Sequence, residues 1–311
     1  MKDGFGRIID YLRVSVTDRC NLRCIYCMPE EGIPYISHDS ILRLEEIQQL
    51  TELIHQALGL RKIRITGGEP LVRRGVVSIV KGISPLAETV MTTNGIQLPE
   101  FAAELGAVGL SRVNISIDSL KDEVIREVTR RDVTLNMIEK AIESAKENNL
   151  TPVKLNCVVL KGVNSGELAD MVRWATDMGT TMRFIEHMPM TGSVCSHVPH
   201  DDILREISRD LGSSEFTGTE GTANMYEAVS GVRFGIIAPV GGGMCANCTR
   251  LRLTAEGELL PCLAGGESLN LRDMLRSGRE DGEIISAVHG LVAKKPHHGA
   301  CGGVSMWRIG G

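Results

Sequence analysis

The sequence has no apolar stretch long enough to cross a bilayer, and the residues before Cys20 lack the apolar core of a signal peptide. The expectation is a chain with no membrane partner, neither inserted nor secreted, working in a reducing cytoplasm where thiols are not tied up in disulfides. A positive excess is also missing. Lysine and arginine number 34 against 39 aspartates and glutamates, a net charge of −5, so nothing overall advertises nucleic-acid binding. Any anion site must come from local clustering of basic residues. Internal repeats and low-complexity tracts are absent as well, which excludes a solenoid. What remains is ordinary globular composition over 311 residues, 42% hydrophobic and 23% charged, enough for one large domain or two smaller ones around a sizeable core.

Against that background the nine cysteines stand out: Cys20, Cys24, Cys27, Cys157, Cys195, Cys245, Cys248, Cys262 and Cys301. Six fall in two sets with metal-type spacing. The first set is C-x₃-C-x₂-C, inside Asp18-Arg19-Cys20-Asn21-Leu22-Arg23-Cys24-Ile25-Tyr26-Cys27. Three thiolates this close hold three corners of a cubane iron–sulfur cluster and leave the fourth iron open. A zinc site normally takes four ligands. The second set, Cys245, Cys248 and Cys262, reads C-x₂-C-x₁₃-C. Zinc competes better here, with Cys301, His297 or His298 as a fourth ligand. The first set favours a second cubane whose open iron invites a substrate atom.

Strand-like and helix-like segments alternate along the first two-thirds of the chain. Strands are expected at Leu12–Thr17, Lys62–Thr66, Thr89–Thr92, Arg112–Asp118, Val153–Leu160 and Met182–Glu186. Helices are expected at Leu44–Leu58, Val76–Ile83, Phe101–Leu105, Asp122–Val128, Thr134–Asn148 and Glu167–Met178. Six such units read as a parallel α/β fold. A parallel strand buried on both faces would be almost continuously apolar, yet these alternate with period two. Arg13 and Ser15 oppose Leu12 and Val14; Lys62, Arg64 and Thr66 oppose Ile63 and Ile65; Lys154 and Asn156 oppose Val153 and Leu155. A curved sheet satisfies this pattern, with apolar faces packed on outer helices and polar faces lining a cationic cavity suited to a phosphorylated ligand. Right-handed crossovers put all helices outside such a barrel. The alternative is an open sheet with one face in solvent.

The cysteine loop follows the first strand, and Gly67-Gly68-Glu69-Pro70 follows the second. After about Val198 the periodicity changes. A helix is expected over Asp201–Asp210, then a Ser/Gly/Thr-rich connection over Gly212–Thr222, then short strands at Val232–Ala238 and Leu251–Thr254. The division expected is a barrel over residues 1–198 and a smaller C-terminal iron–sulfur domain over 199–311. Arg250 and Arg252 repeat the basic alternation two residues past Cys248.

The first cysteine set, with Tyr26 before its last member, resembles the signature of the radical S-adenosylmethionine superfamily. There the open iron chelates the amino and carboxylate groups of S-adenosylmethionine, and an electron from the cluster breaks a C–S bond to give a 5′-deoxyadenosyl radical. More narrowly, the chain resembles the GTP 3′,8-cyclase family of molybdenum cofactor biosynthesis. The match runs through Leu12-Arg13-Val14-Ser15-Val16-Thr17-Asp18-Arg19-Cys20, Thr66-Gly67-Gly68-Glu69-Pro70, Thr92-Thr93-Asn94-Gly95, Asn114-Ile115-Ser116-Ile117-Asp118, the run Cys248-Thr249-Arg250-Leu251-Arg252, and the terminal Ile309-Gly310-Gly311.

The resemblance implies an α/β fold, an incomplete (βα)6 TIM-like barrel closed on its open side by the C-terminal iron–sulfur domain. It implies two [4Fe-4S] clusters, S-adenosylmethionine as cofactor and GTP as substrate, with guanine at the open iron of the second cluster. The adenosyl radical takes the ribose 3′ hydrogen, C3′ attacks C8, and reduction gives a cyclised dihydro-GTP. By matching position, Cys20, Cys24 and Cys27 bind the first cluster and Cys245, Cys248 and Cys262 the second. Tyr26, Gly68, Ser116 and Met188 fall at S-adenosylmethionine contacts. Arg13, Arg64, Thr92, Lys154, Arg250 and Arg252 fall at GTP contacts, with Lys62 and Arg183 as further basic cavity residues. Arg252, Gly310 and Gly311 are the expected catalytic residues. The partners implied are a flavodoxin- or ferredoxin-type electron donor and a downstream cyclic pyranopterin monophosphate synthase, with a homodimer as a candidate assembly. Cys157, Cys195 and Cys301 match no ligand position and are read as ordinary thiols. The competing readings are a peptide-modifying radical enzyme and an iron–sulfur electron carrier or redox sensor. A carrier usually has fully ligated clusters.

Overall fold

A computed structural model describes residues 1–34, 36–37, 39–188, 197–239, 244–264 and 266–298. Six parallel strands run in sequence order: β1 (Tyr11–Ser15), β2 (Lys62–Thr66), β3 (Glu88–Thr93), β4 (Arg112–Ser116), β5 (Lys154–Val159) and β6 (Thr181–Glu186). The helices between them are α1 (Leu44–Leu58), α2 (Val76–Ile83), α3 (Leu98–Ala107), α4 (Asp122–Thr129), α5 (Leu135–Glu147) and α6 (Leu168–Asp177). The apolar halves of the strands form the core with the inner faces of these helices. Leu12, Val14, Ile63, Ile65, Val113, Ile115 and Leu155 are fully buried, as are Ile47, Leu50, Ile79 and Leu105 from the helices. At roughly 25 cal/mol per Å² of apolar surface, this layer is the main favourable term in folding.

Local chemistry accounts for the element ends. Helix α1 has Glu45 and Glu46 in its first turn, where the helix dipole favours negative charge. It stops at Gly59, whose φ of 65° allows its amide to cap the His55 carbonyl. Helix α3 begins earlier than its apolar pattern suggests, because Pro99 sits in the first turn, where a missing N–H costs nothing.

The C-terminal third comprises α7 (His200–Leu211), β7 (Ser214–Glu220), β8 (Ala223–Ala228), β9 (Arg233–Ile237), β10 (Arg250–Leu253), β11 (Glu258–Leu260), β12 (Leu269–Asn270), α8 (Leu271–Arg276) and α9 (Asp281–Ala293). Its strands extend the barrel sheet at both edges, giving the order β12-β11-β10-β1-β2-β3-β4-β5-β6-β9-β8-β7. Strand β10 lies parallel to β1, and β9 lies parallel to β6. The third therefore shares hydrogen-bond ladders with the barrel on both sides.

Two expectations change here. Residues 212–222 are not a plain connection, since most of them form β7, the outermost strand. Phe216 is 59% exposed, and a bulge between Phe216 and Gly218 breaks the register, so no apolar alternation marks it in sequence. Helices α8 and α9 and strands β8, β11 and β12 also lie in stretches for which no element was expected. In α9 the buried Ile284, Val288, Leu291 and Val292 do follow helical spacing.

Candidate active site

The polar faces of β1, β2, β4, β5, β6 and β10 line one cavity of about 650 Å³, as a sheet curved around its own polar side requires. The cavity spans the length of the strands. One end is built by the loops after the strands and the other by the residues that begin them.

Cys20, Cys24 and Cys27 all line the first end, and each is half-buried. The loop that carries them is pinned to the end of α4. The amides of Arg23 and Ile25 donate to the carbonyls of Thr129 and Val128, both at 2.9 Å. Arg23 Nη1 folds back onto the carbonyls of Cys20 and Leu22 at 2.8 and 2.7 Å. Burial pushes the Cys20 thiol up to about 11 and that of Cys27 to about 12, and drives Cys24 well above the ordinary thiol range. Thiolates are costly here unless a cation compensates them, and iron supplies that compensation, so the donor set fits a cluster. The Gly67-Gly68 loop crosses directly over this segment. The Gly68 amide donates to the Thr17 carbonyl and that of Glu69 to the Arg19 carbonyl, both at 2.8 Å. A Cβ at Gly68 would lie 2.4 Å from the Arg19 oxygen, so the crossing itself requires glycine.

Tyr26, Gly68, Ser116 and Met188, the expected cofactor contacts, line the same end. Two carboxylates join them, Glu69 from the Gly67-Gly68 loop and Asp118 from the polar alternation of Asn114 and Ser116. Glu69 accepts from the Asn94 amide (2.7 Å), Thr93 Oγ1 (2.8 Å) and the Leu71 amide (3.0 Å), yet burial raises it to about 7. Asp118 accepts from Tyr26 Oη and the Val158 amide, both at 2.9 Å, and burial raises it to about 6. The Oδ1 atoms of Asn114 and Asn156 are buried with no partner among the described residues, and both side chains line the cavity. Buried amide oxygens left in that state are costly, and a bound ligand would satisfy them.

The other end is cationic. Register places Arg13 of β1 between Arg252 of β10 and Arg64 of β2, and Tyr11 between Arg250 and Lys62. Neighbours across a ladder share a face, so the three guanidiniums stand side by side. Arg64 donates through Nε to Tyr11 Oη at 2.6 Å and through Nη1 to Thr92 Oγ1 at 2.8 Å. Burial would raise the Tyr11 phenol, but Arg64, Arg13 and Arg250 outweigh it and bring it to about 8. Burial lowers Arg13 to about 10, and burial with the charges of Arg13 and Arg250 holds Arg252 well below its usual range. Crowded, desolvated cations of this kind are relieved by an anion.

Four further cavity cations pair with carboxylates. Lys62 Nζ lies 3.1 Å from Glu88, which also binds Arg112. Lys154 Nζ and Arg183 Nη2 share Glu220 Oε2 at 2.6 and 2.9 Å. Glu220 arrives from the β7–β8 hairpin, whose tip residues Gly221 and Thr222 line the cavity. Tyr11, Arg112 and Glu220 are among the cavity residues sequence reasoning did not assign, whereas Asp118 follows the polar alternation of Asn114 and Ser116 and Glu69 belongs to the Gly67-Gly68 loop. Tyr11 and Arg112 begin strands on the polar alternation and were findable by it. Glu220 had no such signal.

Of the second set, Cys248 lines the cavity with Asn247 and Leu263, its amide donates to the Cys245 carbonyl at 3.1 Å, and Cys248 and Cys262 both act electrostatically on Lys295. Two buried cations hold their loops by backbone carbonyls. Arg7, itself paired with Asp3 at 2.6 Å, donates to Cys245 O at 2.7 Å and Pro296 O at 2.7 Å. Lys295 donates to Arg250 O at 2.8 Å and to Pro261 O. Burial alone would raise the Cys248 thiol, but Arg250 and Lys295 bring it down to about 7. Among the described residues no three His, Cys, Asp or Glu side chains converge on a single-ion site. Cys157 is a buried thiol on the helix-facing side of β5, as expected. Gly310, Gly311, Cys195 and Cys301 lie outside the described residues.

Residues 14–175 match the Radical SAM superfamily, and residues 180–300 match the family described as Molybdenum Cofactor Synthesis C. The GTP 3′,8-cyclase of Petrotoga mobilis is 45% identical over 92% of this chain and 89% of its own. That of Heliobacterium modesticaldum is 43% identical over 96% and 94%. Among solved structures, Streptococcus suis SuiB bound to S-adenosylmethionine superposes with a TM-score of 0.62 at 16% identity, covering 89% of this chain and 67% of SuiB, which is a likeness of fold. Identity of this level over nearly the whole length, with both family matches in order along one cavity, places the chain in the GTP 3′,8-cyclase family of the radical S-adenosylmethionine superfamily.

Proposed function

We propose that the chain converts GTP to (8S)-3′,8-cyclo-7,8-dihydroguanosine 5′-triphosphate, an early step of molybdenum cofactor biosynthesis and a lyase-class reaction. One observation carries the reading: a single cavity has three cysteines and buried carboxylates at one end and a row of guanidiniums beside Cys248 at the other. When bound, the first cluster and S-adenosylmethionine supply a one-electron cleavage that delivers a carbon radical.

The chain's own residues position the reactants. Cys20, Cys24 and Cys27 hold the first cluster. Tyr26, Gly68, Ser116 and Met188 line the cofactor's place, with Glu69 as a buried acceptor for its ammonium group. Arg13, Arg64, Arg252, Arg250, Lys154 and Arg183, with Lys62 and Thr92, hold the triphosphate, since guanidiniums bind phosphate oxygens in pairs. Cys245, Cys248 and Cys262 would hold a second [4Fe-4S] cluster, and Gly310 and Gly311, which lie outside the described residues, are assigned to catalysis by the family resemblance. The ribose would then lie between the two ends, within reach of the chemistry the bound cofactor would supply. The work divides between a barrel over residues 1–198 and a cluster domain over 199–311. A flavodoxin- or ferredoxin-type donor, a downstream cyclic pyranopterin monophosphate synthase, a cytoplasmic setting and a homodimer complete the reading.

The test is anaerobic reconstitution with iron and sulfide, then incubation with GTP, S-adenosylmethionine and dithionite. Mass spectrometry is expected to find 5′-deoxyadenosine together with an isomer of GTP. Recovery of GTP unchanged alongside 5′-deoxyadenosine would defeat the substrate assignment.

A further inference from the structure

The cysteine loop is a partition. Cys20 faces the substrate cavity, whereas Thr17 and Arg19, on the same short segment, line a second cavity of about 530 Å³ that shares no residue with the first. Four arginines line this second cavity, Arg19, Arg43, Arg73 and Arg74, and no carboxylate does. In a chain of net charge −5 such a concentration is a local feature with a local use. Arg19, Arg43 and Arg74 are exposed, and Arg73 is half-buried, fixed by its Nη2 donating to the Leu42 carbonyl at 2.7 Å. The nearest carboxylates lie behind the cavity wall: Glu46 is bound by Arg276 at 2.8 Å and accepts from the Arg43 amide at 2.8 Å, and Asp18 Oδ2 accepts from the Ile36 amide at 2.8 Å while its charge acts on Arg73. Between the arginines lie apolar walls from Ile36, Ile41 and Leu44.

We propose that this arginine-rimmed cavity is the docking surface for the electron donor, an acidic one-electron carrier protein. The inference rests on the reading that the Cys20 loop holds a reducible cluster. The substrate cavity fills with cofactor and nucleotide during the reaction, so an electron must reach the cluster from the other side of its loop. Arg19 is the residue adjacent to Cys20, and its side chain stands on that other side. One electron passes from the reduced carrier to the cluster, and no proton or group moves with it. Charge complementarity selects an acidic carrier, and the apolar walls receive the rim of its redox centre, the usual anatomy of a transient interface.

The test follows cluster reduction by reduced flavodoxin in stopped flow, on the reconstituted protein and its Arg74→Glu variant, at several salt concentrations. Arg74 is exposed and belongs to no helix, and the thermal midpoint is expected to hold. Reduction is expected to slow roughly tenfold or more at low salt, with the difference closing as salt rises, as for a steered encounter. Dithionite-driven cleavage of S-adenosylmethionine is expected to match the wild type. An Arg74→Glu protein, and an Arg43→Glu/Arg74→Glu protein, reduced by flavodoxin at the wild-type rate and with the wild-type salt dependence would overturn the proposal. Wild-type protein that fails to cleave S-adenosylmethionine even with dithionite would instead overturn the reading of the Cys20 loop.

Discussion

Replacing Glu220 by glutamine should lower the stability of the ligand-free protein and raise its affinity for GTP. The carboxylate holds Lys154 at 2.6 Å and Arg183 at 2.9 Å, with Arg233 at 4.0 Å from its other oxygen. The two cations are 16% and 10% exposed, but Glu220 is 41% exposed, so water screens the pairs and each contributes about 0.5–1 kcal/mol. The stability loss at neutral pH is then about 1–2 kcal/mol. Lys154 first, and Arg183 with it, hold the carboxyl below its ordinary 4.5. A depressed acid stabilises the fold above its unfolded pKa and loses that contribution as pH falls through the folded value. The difference between wild type and Glu220→Gln should therefore vanish well below pH 4.5.

Binding moves the other way, because a triphosphate must compete with this carboxylate for the same two cations. One negative charge at ~5 Å is worth about 3 kcal/mol at an effective dielectric constant of 20. Solvent exposure reduces this to about 1 kcal/mol, roughly fivefold tighter GTP. Anaerobic titration calorimetry with GTP and thermal unfolding at pH 7 and pH 4 measure both arms. Unchanged or weaker GTP binding would show that Glu220 supports the nucleotide rather than competing with it.

Arg252→Ala should weaken GTP binding by roughly 1.5–3 kcal/mol by calorimetry, with S-adenosylmethionine binding intact; removing one of several crowded cations should not lower ligand-free stability. Lys295→Met leaves the Pro261 and Arg250 carbonyls without their donor, so iron content should fall from about eight to about four per chain while the Cys20 set stays loaded; full retention of iron would refute the clamp. Removal of Gly310 and Gly311 should leave the fold and iron content unchanged and strongly reduce cyclisation, measured by product formation under single-turnover conditions. In the wild type, ionisation of Tyr11 as pH rises through about 8 places a negative charge among the arginines, so GTP affinity should fall there. Tyr11→Phe should flatten that profile, and an unaltered pH dependence would clear Tyr11 of the effect.

The residues that could be read from the chain alone are those whose role is set by near neighbours in sequence. A pleated strand alternates its faces, so Arg13, Arg64 and Lys154 had to stand opposite Leu12, Ile63 and Leu155, and the structure places all three on the cavity. Helix α1 begins and ends at Leu44 and Leu58, because its acidic first turn and its left-handed Gly59 are local signals. The cysteine sets declare their chemistry by spacing alone. The tertiary structure decided what depends on residues far apart. That Arg13 stands between Arg252 and Arg64 follows from β10 pairing with β1 across more than two hundred residues, and ladder pairing leaves no trace in either strand's own pattern. Strand β7 carried no apolar alternation because it is a bulged, exposed edge, so the arrival of Glu220 at Lys154 and Arg183 was invisible until the sheet was assembled. The raised carboxyls of Glu69 and Asp118 are likewise a product of burial. Desolvation is set by everything packed around a group, and no local segment of sequence contains that information.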